Sequence, residues 1–192
     1  KAGIRTFADL LRWERTDLVA RFGGMGERLW HLARGQDKRR VSAHEPVKSI
    51  SKETTFNDDT SDPDILDGHI WRLAEQVADR AKAKSLAGKV VTLKLKRANH
   101  TSLTRRLTLN GSTQLADAVY RTAKGLFDQV GDQGPYRLIG CGLSHLVDAD
   151  GSELAADLLD PNADKRSAAE RATDKIRDRF GSDAIKKGRS LR

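Results

Sequence analysis

Residues 89–110 hold six lysines and arginines (Lys89, Lys94, Lys96, Arg97, Arg105 and Arg106) and no carboxylate. The chemistry such a stretch can do is to bind phosphate. Lys94 and Lys96 alternate with Val91, Leu93 and Leu95, while Ser102, Thr104, Arg106 and Thr108 stand opposite Leu103, Leu107 and Leu109. A period of two sends successive side chains to opposite faces, so each run predicts a strand with one apolar face and one face of cations and hydroxyls. Two such strands make a surface suited to a nucleic-acid backbone, or equally a hairpin whose outer face is simply solvated.

Groups for covalent or metal chemistry do not converge. His31, His44, His69, His100 and His145 show no metal-ligand spacing, and neither a phosphate-binding loop nor a Ser/His/Asp signature is present. Asp58-Asp59 and Asp148 with Asp150 are carboxylate pairs, but both stand at turns, where Asp hydrogen-bonds its own backbone. Two-metal catalysis needs carboxylates that meet at one point. Cys141 is the only cysteine, which excludes an internal disulfide and a cysteine-based zinc site. No catalytic residue and no metal site is expected. The formal charge of +8 calls for a polyanionic partner without choosing among nucleic acid, anionic membrane and ribosome. No apolar run approaches a membrane span and no signal peptide is visible, so a cytoplasmic protein is the simplest expectation.

The elements that must position the basic strands follow from periodicity. Residues 1–35 read as short helices, with Ile4, Phe7, Leu10 and Leu11 at helical spacing and Thr16 as a cap. They open abruptly inside a helical pattern, so an upstream partner for this piece is expected. Residues 36–45 form a polar linker made cationic by Lys38, Arg39 and Arg40. Residues 46–56 predict a strand. Asp62-Pro63 predicts a helix start, and Ile65, Leu66, Ile70, Leu73, Ala74, Val77 and Ala81 give it one apolar stripe. A second helix is expected from about Asn110, with Leu115, Val119, Leu126 and Phe127, and a last strand over 136–147. Strand, helix, strand, strand, helix, strand over 46–149 predicts an α+β fold of the split βαβ kind: a four-stranded sheet with two helices on one face and the other face free. Ile139, Cys141 and Leu143 share one face of the last strand, and Gly140, Gly142 and Ser144 the other, where a backbone or phosphate could approach closely or where glycine merely relieves crowding. Residues 150–192 are charged, with a possible helix carrying Ala168, Ala172, Ile176 and Phe180 as a thin stripe; this region is expected to be mobile or partner-dependent.

Several pieces, in order and at matching separations, resemble the Y-family (translesion) DNA polymerases, its bacterial members most of all. Gly3–Leu10, Ala20–Gly26 and Leu29–Gly35 resemble the family's thumb; Lys48–Phe56 and Arg137–Ser144 resemble the opening and closing strands of its little finger domain. Residues 179–185 resemble the tails of some bacterial members. The resemblance implies that 1–35 is a thumb remnant and 46–149 a little finger that grips primer–template DNA. It also implies that the palm and fingers precede Lys1, so that the piece alone does not polymerise DNA. Magnesium would serve the whole polymerase, not this piece. Backbone amides around Gly3, Ile4, Arg5 and Thr6 would meet duplex phosphates, and Ser49, Ser51, Lys52 and Thr55 would lie near template phosphates. Arg137 would fall near DNA, beside Leu138 where the family often has a second cation. Lys94, Lys96, Ser102, Thr104 and Arg106, singled out by alternation, agree with that placement, and Lys38, Arg39 and Arg40 add a basic linker. Many members end in a sliding-clamp peptide, which Leu158-Leu159 resembles except that Ala155 replaces its glutamine. A monomer is expected. The competing reading is a free-standing nucleic-acid-binding module with no polymerase activity.

Overall fold

The computed structural model describes residues 3–40, 46–130, 133–149, 162–181, 183–186 and 188. The chain divides into two compact units, Lys1–Glu45 and Pro46–Arg192. In the first, α1 (Phe7–Leu11), α2 (Arg15–Phe22) and α3 (Gly24–Ala33) pack around Leu10 and Leu18. Thr6 and Asp9 form a reciprocal capping box on α1. Of the glycines at 23, 24 and 26, only Gly23 breaks the chain, with φ 57°; α3 begins directly after it. Gly26 lies inside α3 because the helices cross there. A Cβ at 26 would fall 1.9 Å from the Leu18 carbonyl oxygen.

The second unit is built on β1 (Ser49–Thr60), α4 (Pro63–Lys82), β2 (Leu86–Arg97), β3 (Ser102–Thr113), α5 (Ala116–Val130), β4 (Tyr136–Asp148) and α6 (Ala163–Phe180). The sheet order is β1-β4-β2-β3 and every neighbouring pair is antiparallel. β1 and β2 are therefore parallel with β4 between them, and β3 and β4 are parallel with β2 between them. Two split βαβ units interleave, as the element order predicts. Asp62 caps α4, its side chain accepting from the amides of Asp64 (2.9 Å) and Ile65 (3.3 Å), with Pro63 in the first turn. Leu66, Ile70, Leu73, Ala74, Val77 and Ala81 of α4 and Val119, Tyr120, Ala123 and Leu126 of α5 meet Val91, Leu93, Leu95, Ile139, Cys141 and Leu143 of the sheet in one core. Trp71 meets Tyr120 edge to face at 4.9 Å, and the Tyr120 hydroxyl donates to Asp67 at 2.6 Å.

Several expectations change. β1 runs on to Thr60, so Asp58 and Asp59 lie in the strand and not at a turn, and Thr16 lies inside α2, whose N-cap is Glu14. β3 runs on to Thr113, so α5 starts at Ala116 and not near Asn110. Leu107 does not reach the core and stays 49% exposed, because β3 is an edge strand that the helices do not fully cover. The C-terminal helix is no loose tail. α6 packs on the outer side of α4 and α5 with its charged face inward. Glu170, 3% exposed, accepts from the amides of Ala116 (2.7 Å) and Asp117 (3.1 Å) and from Lys82 (2.7 Å). Asp174 also pairs with Lys82, Arg166 with Asp117, and Arg177 with Glu75. Ile176 and Phe180, expected as its packing stripe, face solvent. Glu170 thus caps α5, whose own sequence before Ala116 offers Leu115, and a carboxylate at a helix N-terminus also meets the positive end of its dipole.

Glu170→Ala is expected to cost about 2–3 kcal/mol, because it strips two helix amides and Lys82 of a buried acceptor. Ile176→Ser is expected to stay within about 0.5 kcal/mol of the parent. Equilibrium urea unfolding checks both; equal midpoints for Glu170→Ala and the parent would show that α6 does not hold α5.

Candidate nucleic-acid interface

The register of the sheet assigns each residue to a face, since residues paired across strands point the same way. The face away from the helices consists of four rows across β1, β4, β2 and β3. They are Ser49–Ser144–Val90–Thr108, Ser51–Gly142–Thr92–Arg106, Glu53–Gly140–Lys94–Thr104 and Thr55–Leu138–Lys96–Ser102. The structure thus brings Ser49, Ser51, Thr55, Lys94, Lys96, Ser102, Thr104 and Arg106 onto one surface. Their hydroxyls and ammonium and guanidinium groups can donate to anionic oxygens, while Leu93, Leu95, Ile139 and Cys141 on the opposite side hold the strands to the helices. A shallow cavity of about 280 Å³ lies over the middle of this face, between Ser51, Glu53, Thr92, Lys94, Gly140 and Gly142.

Other predicted contacts lie elsewhere. Lys52 pairs with Cys141, so alternation turns it to the helix side at the edge of the sheet. Arg137 falls where the β2–β4 register shifts and belongs to none of the four rows, whereas Leu138 takes the open-face position beside Lys96. The amides of Arg5 and Thr6 are already taken: each donates to Asp9 Oδ2 at 3.0 Å. Those bonds, with the Thr6 hydroxyl, hold the Asp9 carboxyl below its ordinary range. Gly3 (φ 67°) and Ile4 lead into that turn. Lys38 and Arg40 are exposed, but Arg39 folds back on Asp37 through Nε at 2.9 Å. Leu158 and Leu159 lie outside the described residues. Glu53 was missed by sequence reasoning: the basic stretch carries no acid of its own, and only the register brings one in from β1.

The glycines of β4 do not leave the platform bare. A Cβ at Gly140 would sit 2.9 Å from the Glu53 Cβ, and one at Gly142 3.0 Å from the Ser51 Cβ. Side chains of β1 lean over β4, so glycine there relieves crowding.

Residues 47–156 match the impB/mucB/samB family C-terminal domain. The chain belongs to this family, the Y-family DNA polymerases. Its relatives include proteins named DNA polymerase IV 1 in Mesorhizobium japonicum and DNA polymerase IV in Brucella melitensis, each 41% identical over 186 residues, covering 97% of this chain and 42% of the relative. A third, DNA polymerase IV of Caulobacter vibrioides, is 39% identical over 190 residues, covering 99% of this chain and 47% of the relative. The chain spans less than half the length of these relatives. The fold resembles a solved Y-family polymerase chimera, Dbh-Dpo4(243-245)-Dbh, with a TM-score of 0.59 and 17% identity over 76% of this chain and 42% of that one. The matched family domain, residues 47–156, takes in the whole unit from β1 to β4. The match over nearly the whole chain in the three relatives takes in α6 as well. Among the described residues, no group of three or more His, Cys, Asp or Glu could hold a metal ion. No helix among them is long and apolar enough to cross a membrane.

Cys141 lies directly beneath the open face, 3% exposed, and burial pushes its thiol up to about 12. Folded protein at about pH 8 is expected to alkylate with iodoacetamide roughly 10³-fold more slowly than the urea-unfolded chain, as its thiolate fraction dictates. Comparable rates would show that β4 opens readily.

Proposed function

We propose that this chain is the DNA-holding C-terminal portion of a translesion DNA polymerase, and that its open sheet face lies along primer–template DNA and grips it by phosphate contacts. The observation that carries this reading is the segregation of the sheet. Lys94, Lys96 and Arg106 stand on the face that the helices leave free, among the hydroxyls of Ser51, Thr55, Thr92, Ser102 and Thr104. These groups suit phosphate oxygens. Contacts to phosphate oxygens position a duplex without reading its sequence. Such a grip tolerates any template, as a polymerase that copies damaged DNA requires. The polymerising chemistry then belongs to palm and fingers in a longer protein, and this chain alone binds DNA without extending it.

Fluorescence anisotropy on duplex primer–template across a salt series tests the reading. Log affinity is expected to fall with log salt with a slope of about −2 to −3, near 0.9 per phosphate engaged. A combined Lys94→Ala, Lys96→Ala, Arg106→Ala variant is expected to lose most of that slope, and to weaken binding alike on unrelated sequences. A salt-independent affinity overturns the proposal. Tighter binding to single-stranded RNA than to primer–template would instead support a free-standing nucleic-acid module.

A further inference from the structure

One carboxylate stands in the middle of the cationic face. Glu53 Oε2 lies 2.7 Å from Lys94 Nζ, although the two residues come from strands that are not neighbours. β4 runs between them, and across two strand spacings their backbones are separated by roughly 9–10 Å. The pair closes over Gly140, which occupies the same row. Any side chain at that position would stand in the way, since even a Cβ would come within 2.9 Å of the Glu53 Cβ. The pair is not buried: the two side chains keep 51% and 42% of their exposure. It floors the central cavity of the open face, where a ligand lying across the sheet must arrive.

We propose that Glu53 is a built-in competitor for DNA phosphate, an internal carboxylate that occupies Lys94 until the duplex displaces it. The inference rests on the DNA-gripping reading above. A carboxylate and a phosphodiester offer a cation the same thing: anionic oxygens at hydrogen-bond distance. A phosphate that approaches Lys94 must push Glu53 aside or lie next to a like charge. The face therefore binds more weakly than its three cations would by themselves. It also exchanges one ion pair for another, which reduces the net release of salt ions on binding. Glu53 holds Lys94 over Gly140, so the ammonium is positioned over the sheet and ready to be handed to a phosphate. The result is a grip held loose by design of the sheet, with the glycine in β4 as the structural condition for it.

The test uses the 192-residue chain and Glu53→Gln, which keeps the side chain's shape and removes its charge. At about 50 mM salt the variant is expected to bind duplex DNA about 3–10-fold more tightly than the parent, and its salt slope should be steeper by up to about 0.9. Lys94→Ala is expected to weaken binding more in the Glu53→Gln background than in the parent, because only there is the ammonium free from the start. Thermal melts of both variants control for folding, and the exposure of the two side chains predicts little change. Unchanged or weaker binding by Glu53→Gln overturns the competitor role. So does a loss confined to particular sequences, since a glutamate that accepts from a cytosine amine would behave in that way. Equal losses from Lys94→Ala in both backgrounds overturn it too. In each of these cases the triple cation variant still loses binding, and the gripping function stands. If the triple variant binds like the parent, it is the gripping function that falls.

Discussion

The insertion of β4 between β1 and β2 is the constraint on which the rest of this structure depends. β2 and β3 can pair as neighbours in sequence, joined by a short turn. β1 has no partner until the last strand arrives, because β4 is its only neighbour in the sheet. One strand thus fixes the sheet order, ties both split βαβ units together, and sets the distance between the side chains of β1 and those of β2. Its two faces differ in kind. Ile139, Cys141 and Leu143 enter the core, while Gly140 and Gly142 lie under side chains from β1. A bulky residue at 140 would leave the core intact and still separate Glu53 from Lys94. The packing of the domain and the electrostatics of its open face are in this sense set by alternate residues of one strand.

What could be read from the residues alone follows the range of the interactions involved. Alternation is local, so the two basic strands, the last strand and the split βαβ order were legible, as was the start of α4 at Asp62-Pro63. What was not legible is long-range. Leu107 alternates like a core residue, yet β3 lies at the edge of the sheet, and no pattern within β3 reports that. Lys52 matches the family's opening strand but sits one residue out of phase with Ser51 and Glu53, which only its pairing with Cys141 reveals. The start of α5 was misplaced because its cap comes from Glu170, more than fifty residues on.

The open face shows the same limit in its electrostatics. Counting charges along 89–110 yields a surface of cations alone. In three dimensions several of the groups expected to meet phosphate already face a carboxylate: Lys94 with Glu53, Arg39 with Asp37, and the amides of Arg5 and Thr6 with Asp9. The formal charge of +8 already counts these carboxylates, but it does not report which cations they hold. The long-range field is set by net charge and steers association, whereas final affinity depends on which cations are free at contact.

α6 completes this division of labour. A helix poor in large apolar residues cannot dock by hydrophobic burial, and this one turns Ile176 and Phe180 outward. It is held by directed contacts, with Glu170 at the N-terminus of α5 and Lys82 shared between Glu170 and Asp174. Such contacts contribute less per residue than apolar packing, but they demand one geometry, because Glu170 meets its two amides and Lys82 only when α5 and the end of α4 are correctly placed. α5 in turn packs against β2 and β3, the strands that carry Lys94, Thr104 and Arg106. The polar docking of α6 on one side of the domain thereby holds in place the strands whose opposite face presents the cations. The apolar core between them can be sealed and rigid because it has no part in binding.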